Sequence, residues 1–515
     1  MNTFLRKNLV LLITLAVIFI LFVAAAQGMD KQDFVITLLR GLAVGSITFL
    51  VASGFSLIFG LLDVLNLAHG TLFMIGAYIG WTVYVRPDTF VDLLTPFALV
   101  VSGFALRDVY PLLSTRIRLG SSMKRTLPWA LVLVSLLLFG YILPRYPIAF
   151  WNVENYGQSP VTFAFMANQG TRLPVTPAAF TEISPALALV GLLLASLIGV
   201  FGLSLFSNDV QQMPRLSWKK FIGFTLLLLV ALIGLIFNDA LTNFLFGLNS
   251  NWLFLLSVLT ALFSGAGLGA LMEATLIRPL YIRPIYQLML TLGLSAVGIE
   301  LVRAIWGRPE FVMPKPEFFN GTGGVCPATN FADWWANHCS TILLWDGRVR
   351  VYNEIFIPLV GVIVLVSIWI LLQRTRLGMI IRAGVQDREM VEALGINVRR
   401  VFTMVFALGV GLAALGGALA APSNGLSNAM GESLFLNALI ALAIGGLTNY
   451  PGAALGSVLV GLIQQFIIKY GQIGIAIPFT DIIFKPSPPL VPASTVLLMV
   501  IILLILPNGL LGKKE

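Results

Sequence analysis

Residues Gln373–Arg400 read QRTRLGMIIRAGVQDREMVEALGINVRR, and long apolar runs at 355–372 and 401–421 flank them. Charges this dense belong in water, whereas both flanks belong in lipid or in protein buried within it. The chain therefore crosses a bilayer, turns in water and crosses back. Inside the turn, Asp387 is placed to cap a short helix and Gly395 to end it. On that helix Met390, Val391 and Leu394 share one side. A short helix with an apolar face, held between two spans, suits the groove of a soluble partner. A second reading stays open on pattern alone: an ordinary solvated loop whose arginines only set topology.

The rest of the chain repeats the flanks rather than the turn. Of 515 residues, 58% are hydrophobic and 11% charged, and the mean hydropathy is +0.93. That composition predicts an all-α polytopic transmembrane bundle. About fourteen spans are expected: 8–26, 34–59, 68–85, 92–106, 127–143, 185–206, 221–237, 252–275, 286–305, 355–372, 401–421, 433–447, 452–469 and 494–507. Several fall short of the ~20 residues a bilayer core needs, which points to broken, tilted or re-entrant helices.

The net charge of +9 raises the question of a nucleic-acid partner, and its placement answers it. With the amino terminus in the cytoplasm, the cytoplasmic loops hold Arg6, Lys7, Arg107, Arg116, Arg118, Lys124, Arg125, Arg215, Lys219, Lys220, Arg278 and Arg283. They also hold the six arginines of 373–400 and Lys513 and Lys514. Every such loop obeys the positive-inside rule, so the excess is topological and no nucleic acid is implied. Both termini are expected in the cytoplasm, with lipid as the surrounding partner. Residues 1–27 resemble a signal peptide, but the apolar stretch of about 18 residues favours an uncleaved first span. Cys326 and Cys339 both fall in the long outer loop 306–354, where oxidising conditions make a disulfide the expected state and two free thiols the alternative. His338 beside Cys339 is too little for a metal site.

Residues 87–250 stand apart, with polar excursions at Asn152 to Thr181 and Ser207 to Lys220 and Leu-rich spans. By contrast, 34–86 and 251–469 carry glycines four apart: Gly41 and Gly45, Gly76 and Gly80, Gly265 and Gly269, Gly452 and Gly456. Such pairs let helix backbones approach closely, as in a packed transport core. The expected organisation is an amino-terminal span (1–33), a first core part (34–86), an inserted four-span region (87–250) and a second core part (251–515).

Catalytic constellations are thin. No phosphate-binding loop occurs; NGLLGKK at 508–514 has the wrong spacing. His69 and His338 are the only histidines, there is no H-E-x-x-H or G-x-S-x-G, and Ser121 to Lys124 matches S-x-x-K in spelling only. No enzyme activity, cofactor or metal is called for. Ionisable and polar residues at membrane depth say more, because each costs several kcal/mol unless paired or lining a cavity. Asp63, Asn66 and His69 in GLLDVLNLAHG form the densest group and read as a helix break lining a pathway. A polar clamp between helices is the alternative. Gly445, Gly446 and Asn449, in GGLTNYPG, form a second break of the same kind, while Glu273, Glu300 and Glu432 are weaker candidates.

Five blocks carry a family resemblance: GLAVGSITFLVASGFSLIFGLLDVLNLAHGTLFMIGAYIG at 41–80, EATLIRPLYIRP at 273–284, RAGVQDREMVEALGINVRRVFTMVFALGVGLAALGGALAAP at 382–422, ALAIGGLTNYPGAALGSVLVGL at 441–462 and LPNGLLGKK at 506–514. In this order the sequence resembles the membrane subunits of branched-chain amino acid ABC importers. The resemblance implies an inner-membrane permease that pairs with a second, similar permease. Two cytoplasmic ABC ATPases and an extracytoplasmic substrate-binding protein would complete the assembly. It also implies an ATPase-coupling segment comprising Arg382, Asp387, Arg388, Glu389, Met390, Val391, Glu392, Ala393, Leu394 and Gly395. The departure is 87–250, which roughly doubles the front half relative to usual members. Similar permeases handle urea or short amides, and a self-sufficient secondary transporter or channel using the Asp63/His69 break is the competing class. The coupling segment discriminates, since a secondary transporter needs no plug for a soluble partner.

Overall fold

The computed structural model describes residues 13–14, 16–17, 19–20, 22–106, 109–110, 121–148, 166, 169, 182–205, 218–281, 283–307, 310, 312–321, 325–345, 347–386, 388–476 and 483–512. For 121–122, 124–125, 218–220, 385–386 and 388–389 it describes the backbone alone. The chain is an all-α polytopic membrane protein. It clusters into two compact units, residues 1–81 with 250–515, and residues 82–249.

The first unit is built around two long helices, α1 (Lys31–Leu62) and a later helix, Val398–Asn424, whose residues are mostly buried. Helix α2 (His69–Val85) follows α1 after a short break and runs on past the first unit's boundary. The second unit contains α3 (Pro87–Ala105), α4 (Ser121–Ile142), α5 (Pro185–Leu205), α6 (Trp218–Ile236) and α7 (Asn238–Gly247). Small hydroxyl residues fasten these helices together. Ser135 donates to the Ala195 carbonyl at 2.7 Å, Ser196 to Val100 at 2.6 Å and Thr95 to Ala231 at 2.9 Å. Helices α6 and α7 meet at a 77° bend, where Asn238 donates to the Asp92 carboxylate at 2.8 Å.

The chain continues in the first unit with α8 (Ser250–Met272), a π-helical turn (Glu273–Ile277), a 3-10 turn (Arg278–Leu280) and α9 (Pro284–Trp306). The loop 306–354 then folds on itself. Short helix α10 (Phe331–Asn337), capped by the Asn330 side chain, packs beside the hairpin of β1 (Thr341–Leu344) and β2 (Gly347–Arg350). A disulfide joins Cys326 to Cys339, and the buried Trp334 indole donates to the Cys339 carbonyl at 2.9 Å. A π-turn at Val351–Phe356 leads into α11 (Ile357–Arg374), which ends where the charged segment begins. Next come α12 (Arg376–Gln386), α13 (Arg388–Ala393), α14 (Val398–Asn424), α15 (Met430–Gly445), α16 (Tyr450–Ile473), a two-residue β-pair, β3 (Ile475–Ala476) with β4 (Ile483–Phe484), and α17 (Leu490–Ile505).

Among the described residues nine helices are long and apolar enough to cross a membrane. The remaining apolar runs of the fourteen expected are accounted for individually. One is the bent α6–α7 pair, and α2, α15 and α17 are short. The run 8–26 begins outside the described residues.

The four-apart glycines stand at helix crossings. A Cβ at Gly45 would press on the Ser457 and Val458 backbone of α16, and one at Gly269 on the Phe406 carbonyl of α14. Backbones in van der Waals contact gain dispersion and exclude lipid where side chains would hold the helices apart.

Candidate functional site

Three features of the first unit concentrate polar chemistry: two breaks in the bundle and the charged turn between α11 and α14. The first break follows α1. Asp63 ends that helix in the left-handed region, φ 53°, with its amide hydrogen-bonded to the Phe59 carbonyl, and its side chain is exposed. Asn66 and His69 are instead wholly buried. The Asn66 side-chain oxygen accepts from the Ala68 amide at 3.1 Å, and His69 Nε2 lies 3.1 Å from the Val51 carbonyl. Asn66 Nδ2 and His69 Nδ1 make no hydrogen bond among the described residues. Each such buried orphan costs about 1–3 kcal/mol. Thr291 of α9 holds the break from outside it, accepting from the Leu67 amide at 3.2 Å. The structure thus groups Asn66 with His69 and leaves the Asp63 carboxylate as an exposed helix end.

The second break lies between α15 and α16. Gly446 has φ 109°, and Asn449 caps α16 by accepting from the Gly452 amide at 3.1 Å. A Cβ at Gly445 would overlap the Gly452 carbonyl oxygen, so the chain folds back here with its two glycine backbones touching. The segment after α17 completes the corner. Leu510 and Leu511 amides donate to the Ile444 and Gly445 carbonyls at 2.8 and 3.0 Å, satisfying acceptors that the end of α15 leaves open. The Asn449 side-chain amide donates to the Leu511 carbonyl at 2.7 Å. Both breaks meet the same end of α1. Ser56 donates to the Leu447 carbonyl at 3.4 Å, Gly60 lies against Thr448, and α1 itself runs into Asp63.

In the charged turn, α13 is a helix with a complete glycine stop. Gly395, φ 80°, donates to the Glu392 carbonyl at 3.0 Å, and Ile396 donates to the Val391 carbonyl at 3.3 Å. That pair of bonds, with the Ile396–Val391 apolar contact, is the Schellman motif. Nothing stands near the Gly395 Cα, so only its backbone conformation demands glycine there.

One expectation needs correction. Val391 does not share an outward face with Met390 and Leu394: Val391 is 4% exposed, Met390 64% and Leu394 72%. Residues i and i+1 are about 100° apart on a helix. One side of so short a helix must pack on its own protein, and Val391 lies on that side. It sits with Val398 and Phe402, against Leu62, Tyr281, Ile380, Ala383 and Ile396. Arg382 is likewise tied inward, donating to the Leu372 carbonyl at 2.6 Å and the Gln373 side chain at 2.8 Å. A cation at the carbonyl end of α11 is stabilising by the helix dipole. Asp387 lies outside the described residues, and of Arg388 and Glu389 only the backbone is described. Glu392 and Ala393 belong to the exposed part of the turn.

A cluster that sequence reading underrated lies beside this turn. Glu273, fully buried in the π-turn after α8, accepts four hydrogen bonds. Arg278 donates through Nε to one oxygen at 3.1 Å and through Nη2 to the other at 2.7 Å. The Tyr281 hydroxyl donates at 2.9 Å and the Thr403 hydroxyl of α14 at 2.6 Å. The signal was present as the spacing Glu-x4-Arg-x2-Tyr in EATLIRPLY; Thr403 carried none. Glu300 pairs with Arg303 at an exposed site at 2.6 Å, and Glu432 is exposed in the first turn of α15.

The sequence compares with known proteins as follows. The family described as "Branched-chain amino acid transport system / permease component" matches residues 187–506. The chain is 29% identical over 171 residues to the high-affinity branched-chain amino acid transport system permease protein BraD of Pseudomonas aeruginosa, a match covering 33% of this chain and 51% of BraD. It is 23% identical over 272 residues to the corresponding permease protein LivH of Escherichia coli (strain K12), covering 52% of this chain and 78% of LivH. Over 120 residues it is 28% identical to the fructose import permease protein FruF of Bifidobacterium longum, covering 22% of this chain and 34% of FruF. The chain spans about half the length of BraD. No solved structure matches. With well over half of its residues inside the family match, the chain belongs to the permease components of branched-chain amino acid transport systems.

Proposed function

We propose that this chain is the membrane permease subunit of an ABC importer that moves branched-chain or other hydrophobic amino acids across the bacterial inner membrane. Both termini face the cytoplasm, the disulfide-bonded loop faces outward, and α13 docks on a cytoplasmic ATPase. One observation carries the reading. An exposed apolar residue, Leu394, is presented at the end of a short helix that is closed by a Schellman stop and anchored to its own bundle by Val391. A loop that merely sets topology needs none of these three devices. An exposed Leu beside Met390, on a rigid mount between two spans, fits a groove in a soluble partner. ATP hydrolysis belongs to that partner in this reading. A second, similar permease and an extracytoplasmic binding protein complete the assembly.

In this reading the pathway runs along α1, past Asn66 and His69 of the first break, whose His69 ring reaches the Val51 carbonyl, and past Gly445, Gly446 and Asn449 of the second, which meets α1 at Ser56 and Gly60. The two buried polar side chains at the first break support it, since polar groups at membrane depth are kept where they are paired or line a cavity.

The decisive experiment is purification of the tagged chain with the proteins encoded beside it, followed by reconstitution into liposomes. A co-purifying ATPase whose hydrolysis is stimulated by the loaded binding protein, with radiolabelled leucine or valine accumulating inside, is the expected result. Uptake that proceeds without any ATPase, driven by an ion gradient, would sink the reading in favour of a secondary transporter.

A further inference from the structure

We propose that Tyr281 and Glu273 form the joint through which movement of α13 reaches the polar break at the end of α1. This rests on the docking of α13 described above and adds residues the family resemblance did not assign to coupling.

Val391 plugs α13 into an apolar cluster whose other walls include Leu62, the last residue of α1, and Tyr281. Leu62 and Tyr281 also border a second cluster. That cluster contains Ile58, Val64, Ala68 and Leu72, which line both sides of the first break, with Met272, Ile277, Phe406 and Val410. The two residues are thus shared between the helix that meets the partner and the break that holds Asn66 and His69. Packed side chains at interior density do not deform smoothly, so a displaced Val391 disturbs the cluster that Tyr281 and Leu62 wall.

The polar side of the joint fixes what Tyr281 does with that push. Its ring meets Phe402 edge-on, with centroids 6.0 Å apart and planes at 81°. Its hydroxyl donates to a Glu273 oxygen at 2.9 Å. The other Glu273 oxygen accepts from Thr403, next to Phe402, so α14 is held at two successive residues. Arg278, itself partly exposed, pairs with the buried carboxylate and compensates its charge. Glu273 opens a π-turn, and Tyr281 follows a 3-10 turn. These are irregular stretches where a helix end yields before its regular body does. The arrangement is a rigid clamp on α14 set at a compliant end of α8. Glu273 and Tyr281 act here as positioning residues, since they reach the break through Leu62 and the second cluster.

The test uses the complete complex in proteoliposomes, with uptake and ATP hydrolysis measured on the same preparation. Tyr281→Phe deletes one hydroxyl and keeps the ring. We expect the ATPase to remain bound and its hydrolysis to stay near the wild-type rate, while substrate moved per ATP falls roughly fivefold, the factor that one lost hydrogen bond supplies. Glu273→Gln should lower the same ratio further. Thr403→Ser, which keeps its hydroxyl, should leave it unchanged. An unchanged ratio in Tyr281→Phe, or hydrolysis and uptake falling in parallel, overturns the joint while leaving the docking of α13 standing. If Leu394→Asp leaves the ATPase bound, the docking itself is wrong and the joint falls with it. Should Glu273→Gln fail to assemble, the Tyr281→Phe result decides alone.

Discussion

Val391, inside α13, and Leu394, the residue just past its end, lie three positions apart and differ sharply in burial, the first sealed into the bundle and the second largely exposed. Their substitutions should therefore separate two properties. Leu394→Ala should leave thermal stability within ~0.5 kcal/mol, as exposed substitutions usually do. It should weaken ATPase retention by about 1–3 kcal/mol, the scale of burying one Leu at an interface. Val391→Ala should instead cost roughly 1–3 kcal/mol of stability by opening a cavity. Melting curves and pull-down titrations on both variants check this. Equal effects of the two changes on docking would mean that α13 is not mounted as described.

Gly395 allows a graded test of the helix stop. Open space surrounds it, so sterics with neighbours cancel and only φ 80° matters. Asn visits the left-handed region with modest cost, Ala less readily and a β-branched residue least. Transport activity should fall in the order Gly, Asn, Ala, Val, with Val losing about 1–3 kcal/mol of local stability to strain. Amide exchange across 388–396 would report the loosened turn directly. A Val variant as protected as wild type would refute the role of the stop.

The outline of this chain was legible because hydropathy and charge placement are strong, additive signals. The apolar runs at 355–372 and 401–421 recur as α11 and α14, and the glycines four apart reappear at backbone crossings. What escaped the sequence was facing. In a six-residue helix every residue has a neighbour on the same turn, so pattern alone placed Val391 with Met390 and Leu394. Its contacts come from Leu62 and Tyr281, which are remote in sequence. Glu273 escaped for the same reason. A carboxylate near a span end looks like a solvated terminus until Thr403, 130 residues away, is found donating to it. Asp63 is set apart from its two partners by its backbone: the αL helix end leaves its carboxylate exposed, while Asn66 and His69 are buried.

Asp63 and His69 should accordingly part company. Asp63→Asn keeps the left-handed preference of the position and should leave uptake and stability nearly unchanged. His69→Ala removes a buried ring that packs edge-on against Phe55 at 5.9 Å and bonds to the Val51 carbonyl. It should lower uptake strongly while the protein still inserts, and His69→Gln, which can keep the bond to Val51, should recover part of it. Normal uptake by His69→Ala would remove the first break from the pathway.

The close fold-back at Gly445 predicts an asymmetry between glycines. Gly445→Ala drives a methyl into the Gly452 carbonyl and should cost about 1–3 kcal/mol, the usual range for overpacking. Gly267→Ala, in α8, meets nothing within 4 Å and should be neutral or slightly stabilising, by up to ~1 kcal/mol from helix propensity. Thermal unfolding of the two purified variants in the same detergent makes the comparison. A tolerated Gly445→Ala would show that the second break is loose.

Lys315 offers a test of orientation and electrostatics together. It lies in the loop 306–354, with its ammonium 5.9 Å from the centre of the Tyr352 ring. Burial lowers its pKa first, the Arg350 guanidinium lowers it further, and the Glu354 carboxylate pulls part of the way back. A lowered pKa means a larger neutral, nucleophilic fraction at any pH below the ordinary lysine value of 10.5. A membrane-impermeant amine-reactive reagent should therefore label Lys315 in spheroplasts along a pH curve displaced to the acid side of an exposed lysine. Arg350→Gln removes a like charge, so it should move the curve back toward 10.5 without reaching it, because the burial remains. Glu354→Gln removes the opposing carboxylate and should move the curve further to the acid side, provided that the hydrogen bonds from Arg40 and Arg350 re-form on the amide. Labelling that appears only after the membrane is opened would place this loop on the cytoplasmic side and reverse the proposed orientation of the whole chain. A curve centred at the ordinary value would instead leave orientation intact and show that Lys315 is solvated when the loop is in its native membrane.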